Sequence, residues 1–178
     1  MWLIMSSVAI FYANQCDKKK CTSIKIKNNL EKLNFHLFWT ENSKNIRKNS
    51  IVLTPNSKKY LLPKDLGLFD KAGITLLDCS WKQGEEYLSW IFKNARRLPP
   101  LLAGNPVNYG KWEKLTSLEA LAASFFLLRQ ENYCFELLNL YNWGNTFFTL
   151  NKKLLDRYID CTTNLEINRV YNEFLKQK

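Results

Sequence analysis

One histidine, His36, stands in the whole chain, and that scarcity excludes a good deal of chemistry. A hydrolytic triad needs an imidazole beside its nucleophile, and no G-x-S-x-G elbow supplies the serine. No G-x-x-x-x-G-K-[ST] run occurs and no G-x-G-x-x-G follows a strand, so the phosphate cradles of nucleotide hydrolysis and dinucleotide binding are missing. The five cysteines, Cys16, Cys21, Cys79, Cys134 and Cys161, are odd in number and irregular in spacing, which implies neither a disulfide framework nor a zinc site. Long apolar runs are lacking too. The N-terminal MWLIMSSVAIFYANQ is interrupted by Ser6 and Ser7, carries no basic leader and is too short to span a bilayer, so it reads as a buried strand. These absences predict a soluble cytoplasmic protein without a metal.

Acidic residues are also in short supply, 16 against 26 lysines and arginines, and the resulting net charge of +10 favours an anionic partner. At 178 residues and 46% hydrophobic the chain can bury a core, as one domain or as two small lobes. Its many aromatics serve such a core first, with base stacking as the alternative use.

Strand-like and helix-like periods alternate in the first part. Val8 to Ala13 reads as a strand, and Thr22 caps a helix with Ile26, Leu30 and Leu33 on one face. Strands follow at Phe35 to Trp39, Ile51 to Leu53 and Ile74 to Asp78, then a helix over Glu85 to Phe92 and a last strand at Leu101 to Ala103. After the loop GNPVNYGKWEK the pattern turns helical. Thr116 and Glu119 form a T-x-x-E capping box, and helices are predicted from Thr116 through Leu128 and over Asn132 to Leu140, Asn151 to Cys161 and Leu165 to Lys176. The expected organisation is an α/β lobe over residues 1–105 and a helical lobe over 106–178.

Polar residues gather after the predicted strands: Asp17 and Thr22, Pro55, Asp78 to Trp81, and Asn105 to Tyr109. Crevices at the carboxyl ends of strands are where α/β sheets bind ligands. Each residue also has a structural explanation: Asp78 as a helix cap, Trp81 as core, Asn105 to Gly110 as a tight turn, and the run Lys18, Lys19, Lys20 as a solvated face. Taken alone, these residues describe a basic α/β protein with nucleic acid as a candidate partner.

Five segments in fixed order, QCDKKKCTS, VLTP, LLDCSW, RRLPPLLAGNPVNYG and KLTSLEALAAS, resemble the aminocarboxypropyltransferases that modify small-subunit ribosomal RNA during ribosome maturation, in their compact archaeal form. The resemblance runs from about Val8 to Phe126. It implies a SPOUT-like knotted α/β lobe followed by an all-α C-terminal lobe, the first forming part of a cofactor pocket and the second completing it. The implied reaction moves the 3-amino-3-carboxypropyl (acp) group of S-adenosylmethionine to N3 of a (N1-methyl)pseudouridine, leaving methylthioadenosine, with small-subunit rRNA or a pre-ribosomal subunit as partner. The enzyme would act as a monomer, off the membrane and without a metal.

The family's contacts fall on named positions. Thr22 and Ser117 match donors to the cofactor carboxylate, and Leu77 matches the carbonyl that takes the ribose hydroxyls. Leu98 and Glu113 match backbones at the adenine edge. Leu53, Pro55, Trp81, Leu115 and Ala120 match apolar walls. Asp78 is the candidate to receive the N3 proton. Lys18, Lys19, Lys20, Arg96, Arg97 and Lys111 are candidates for phosphate contact. The chain departs from the family at Ser23, where glycine is common, at Gly104 for an alanine, and at Glu113 for an aromatic. A SPOUT-class RNA methyltransferase and a non-catalytic RNA-binding assembly factor are the alternative functions; membrane-surface binding lacks the amphipathic basic helix it would need.

Overall fold

The computed structural model of the chain describes residues 7–15, 17–18, 20–79 and 91–177. Among them, five strands form one parallel sheet: β1 (Ser7–Tyr12), β2 (His36–Thr40), β3 (Ile51–Leu53), β4 (Ile74–Asp78) and β5 (Ala95–Arg96), in the order β2-β1-β4-β3-β5. The residues account for that order. SVAIFY, IVL and ITLLD are nearly continuous apolar runs, buried almost throughout, as inner strands of a parallel sheet must be. HLFWT alternates exposed with half-buried positions up to buried Thr40, and the two residues of β5 are half-buried, which suits the two edges. Phe11, Val52 and Leu77, one from each inner strand, meet Ile46 and Phe92 in a buried cluster.

Helix α1 (Thr22–Lys27) is shorter than its apolar spacing predicts. Asn29 ends it by donating Nδ2 to the Lys25 carbonyl at 2.8 Å, a local bond that competes with helix continuation, and Leu30–Lys32 make only a single 3-10 turn. Helix α2 (Leu66–Ala72) was not expected. It begins after Pro63, where Asp65 accepts the Leu62 N–H at 3.1 Å. It stops at Gly73, whose φ of +76° and approach to the Ser7 carbonyl, 2.2 Å from any added Cβ, leave room for no other residue. Strand β5 was also missed, and the strand expected at Leu101 to Ala103 is a single antiparallel bridge, Leu102 to Trp112. Of the helix predicted over Glu85 to Phe92, all but Ile91 and Phe92 lie outside the described residues, and those two are not helical.

The chain divides into two compact units, Met1–Lys58 with Gly67–Arg97, and Lys59–Leu66 with Leu98–Lys178. The second holds α3 (Ser117–Leu127), α4 (Glu131–Leu138), α5 (Gly144–Tyr158) and α6 (Asn164–Lys176). Gly144, expected as a breaker, is the first residue of α5. Helix α3 is apolar almost all round and is the centre of this unit, with Phe125 against Tyr133 of α4 and Phe126 against Phe148 of α5. Tyr60 ties the Lys59–Leu66 segment to α6, its N–H donating to Asn164 Oδ1 and its hydroxyl to Asn168 Oδ1, each at 3.1 Å. None of the described helices is long and apolar enough to cross a membrane.

The expected fold class needs correction. The described residues form an open α/β sheet and show no SPOUT-like trefoil knot. The C-terminal part is not all-α either, since Leu98 to Thr116 runs without a helix and carries the Leu102 to Trp112 bridge. Knotting concerns how a chain is threaded, and no residue period encodes it.

Candidate active site

The connections diverge at the carboxyl ends of two neighbouring strands. β1 leads through α1 to β2 on one side of the sheet, whereas β4 leads to β5 on the other, so the topological switch point lies between β1 and β4. There Tyr12 pairs with Asp78, and the Ala13 N–H donates to the Asp78 carbonyl at 3.0 Å. Cys21, at the N-cap of α1, donates its thiol to Asp78 Oδ2 at 3.4 Å, which draws the start of α1 to the end of β4. Thr22 and Ser23 open that helix and are both buried. Ser23 Oγ is a buried hydroxyl with no hydrogen-bond partner among the described residues. Burial first, and then the Asp78 charge, push the Cys79 thiol up to about 11, so Cys79 is no nucleophile in neutral solution.

Leu53 and Leu77 are buried at or next to the ends of their strands, and the Leu77 side chain belongs to the core cluster. Leu53 pairs with Arg96, and the next residue, Thr54, donates its N–H to the Arg96 carbonyl at 2.9 Å, so Leu53, exposed Pro55 and half-buried Arg96 and Arg97 stand together. Lys18 and Lys20 are exposed in the loop after β1. That loop is three strands from β5, about 14 Å at ordinary strand spacing, so among the described residues Lys18 and Lys20 stand apart from Arg96 and Arg97. Trp81 and Lys19 lie outside the described residues.

In the second unit, Leu98, Leu115, Ser117 and Ala120 are half-buried, and Glu113 and Lys111 are exposed. Ser117 and Ala120 are the only residues of α3 that are not buried, and at i and i+3 they share one side of the helix. Glu113 holds a left-handed φ of +56° while its N–H donates to the Leu101 carbonyl at 2.9 Å. That conformation is uncommon outside glycine and marks a bend the surroundings enforce.

Beneath these residues lies a scaffold whose role the sequence did not reveal. Glu119 is fully buried and accepts five hydrogen bonds: from Thr116 N (2.7 Å) and Oγ1 (2.9 Å), Gly104 N (2.7 Å), Asn105 N (2.9 Å) and Asn105 Nδ2 (2.9 Å). The capping box was legible; the reach back to Gly104 and Asn105 was not. Asn151, fully buried in α5, clamps Leu102 by accepting its N–H and donating to its carbonyl, both at 2.8 Å. Gly104 fits because a Cβ there would meet the Phe147 backbone at 2.5 Å. Among the described residues no cluster of His, Cys, Asp and Glu is placed to hold a metal.

Fold and site together define a class, an open parallel α/β protein with polar residues gathered at its switch point. Known proteins narrow it. The family described as "Ribosome biogenesis protein, C-terminal" matches residues 51–175. The 16S rRNA aminocarboxypropyltransferase of Methanocaldococcus jannaschii is 38% identical over 98% of this chain and 99% of its own length. That of Methanosphaera stadtmanae is 41% identical over 98% and 100%. The structure of the SAM-dependent rRNA:acp-transferase Tsr3 from Vulcanisaeta distributa is similar with a TM-score of 0.81 and 29% identity, covering 97% of each chain. The chain belongs to the 16S rRNA aminocarboxypropyltransferase family. The structural likeness is to the acp-transferase and not to a SPOUT fold, which completes the correction above.

Proposed function

We propose that this S-adenosylmethionine-dependent rRNA aminocarboxypropyltransferase transfers the acp group to N3 of a (N1-methyl)pseudouridine in small-subunit rRNA, as a cytoplasmic monomer. The observation that carries the reading is the full-length likeness at 38% and 41% identity to proteins named 16S rRNA aminocarboxypropyltransferase. The residues present also fit the donor. Ser23, next to Thr22, leaves a buried hydroxyl unsatisfied among the described residues, and such atoms are ordinarily paired. The accessible side of α3 presents Ser117 and Ala120 and little else.

The donor, when bound, supplies an electrophilic γ-carbon on a sulfonium leaving group. N3 forms a bond to that carbon, the carbon–sulfur bond breaks with its electron pair on sulfur, and methylthioadenosine departs. The chain's part is positioning, the strongest lever open to it without a nucleophile. In the first unit Thr22 would hold the donor carboxylate, the Leu77 carbonyl the ribose hydroxyls, and Leu53, Pro55 and Trp81 the adenine and methyl. In the second unit Ser117 would donate to the carboxylate, Leu98 and Glu113 would read the adenine edge through their backbones, and Leu115 and Ala120 would add apolar contact. Asp78 would accept the N3 proton. Lys18, Lys19, Lys20, Arg96, Arg97 and Lys111 would contact phosphates. Incubation of small-subunit RNA with donor labelled either in the methyl or in the carboxyl group tests the reading. Carboxyl label should enter RNA with release of methylthioadenosine, and RNA labelled only from the methyl form overturns it. Mass spectrometry of the RNA nucleosides identifies the acceptor.

A further inference from the structure

The tip of the loop between Ala103 and Trp112 exposes two apolar side chains, Val107 at 77% and Tyr109 at 59%. Exposed apolar residues in a loose loop are unremarkable, but this loop is anchored at every point below its tip. Glu119 fixes Gly104 and Asn105 at its base, and Asn105 Oδ1 accepts the Asn108 N–H at 3.0 Å inside it. Ala103 N–H donates to the Lys111 carbonyl at 2.9 Å, and Gly110 N–H donates to the Ala103 carbonyl at 2.8 Å. Trp112 closes the far end, edge-on to Tyr171 at 5.0 Å and to Phe174 at 6.2 Å. A buried carboxylate, the Asn105 side-chain bond and an aromatic plug thus anchor a segment whose summit stays largely exposed.

We propose that this loop is a preformed platform for an unpaired base of RNA, with Tyr109 as the stacking face and Val107 beside it. It goes beyond the proposed function, taking from it only that the substrate is RNA. Stacking on tyrosine needs an exposed ring held at low entropic cost, which the anchoring provides. Exposed Lys111 and Lys114 follow Tyr109 in sequence on a chain of net charge +10, and their charge complements a phosphate backbone. Two side chains are too little apolar surface for a stable protein interface. Sequence-specific RNA recognition favours splayed, single-stranded bases, so the platform distinguishes unpaired from paired RNA.

Fluorescence anisotropy with a fluorescein-labelled oligouridylate, and with a fully paired RNA duplex, tests this on the full chain. Tyr109→Ala is expected to weaken oligouridylate binding about tenfold. It should leave duplex binding and the salt slope unchanged, because no phosphate contact is lost. Tyr109→Phe is expected to keep wild-type affinity. Unchanged oligouridylate affinity in Tyr109→Ala overturns the proposal and leaves the tip to a protein partner, and an equal loss on single strand and duplex overturns it too. Calorimetry with S-adenosylmethionine keeps the two readings apart: wild-type protein that fails to bind it sinks the proposed function while the Tyr109 comparison still stands.

Discussion

Replacing Glu119 tests whether one buried carboxylate organises the loop that carries Glu113 and Leu115 and leads into Ser117 of α3. Of its five donors, Gly104 N, Asn105 N and Asn105 Nδ2 make buried bonds, whereas the two from Thr116 are only partly buried. An orphaned buried donor costs about 1–3 kcal/mol, so Glu119→Ala, with three such donors and a cavity that water partly fills, should lose about 3–6 kcal/mol. That is a large part of the roughly 5–15 kcal/mol by which domains are stable. Glu119→Gln keeps one acceptor oxygen but turns an NH2 towards donors, and should fall between, at about 2–3 kcal/mol. Urea unfolding followed by tryptophan fluorescence and far-UV circular dichroism gives both values from the midpoints at common slope. Glu119→Ala within about 1 kcal/mol of wild type, the scale of a single N-cap, would reduce Glu119 to its capping box and refute the organising role.

Asn151→Ala strips Leu102 of both its clamping bonds and frees the Phe147 carbonyl, which the amide also serves at 2.8 Å. A loss of about 3 kcal/mol is expected, lowering the melting temperature by roughly 6–12 °C in calorimetry; a shift within scan error counts against the clamp. Ser23→Ala removes a buried hydroxyl that has no partner among the described residues, so the free protein should gain up to about 1 kcal/mol while losing affinity for S-adenosylmethionine, read as melting curves with and without the donor. Destabilisation of the free protein would show that the hydroxyl has a structural partner. With its thiol pushed up to about 11, Cys79 should alkylate at pH 8 roughly a hundredfold more slowly than an ordinary cysteine and accelerate with rising pH. Asp78→Asn removes the second cause of that shift and should speed the reaction; peptide-resolved mass spectrometry after iodoacetamide checks both.

The inner strands were legible because burial on both faces leaves a continuous apolar run, and β3 and β4 carry their expected limits. The edges were not. Ala95–Arg96 owes its strand conformation to the neighbouring Val52 and Leu53, not to its own propensity, and Leu101 to Ala103, apolar enough for a strand, is occupied by the Asn151 clamp and one bridge to Trp112. The same limit applies to the site. Asp78 and Thr22 could be placed at the ends of their elements, but their approach through Cys21 spans 57 residues of sequence and depends on strand order, which no local pattern carries.

Hydrogen-bond satisfaction separates scaffold from site in this chain. Glu119 and Asn151 are polar and fully buried, and each is bonded by its own chain, five bonds for one and three for the other, so Glu119 has no lone pair and Asn151 no donor to offer a ligand without losing a loop. Ser23 is equally buried and has none among the described residues. Glycine, common at that position in the family the sequence resembles, would bury no polar atom there. Serine introduces an oxygen whose desolvation costs about 1–3 kcal/mol unless something returns a hydrogen bond. Ser23 follows Thr22 and the Cys21 that bonds Asp78 at the switch point, so the expected loss of donor affinity in Ser23→Ala is what separates a ligand-facing hydroxyl from a merely buried one.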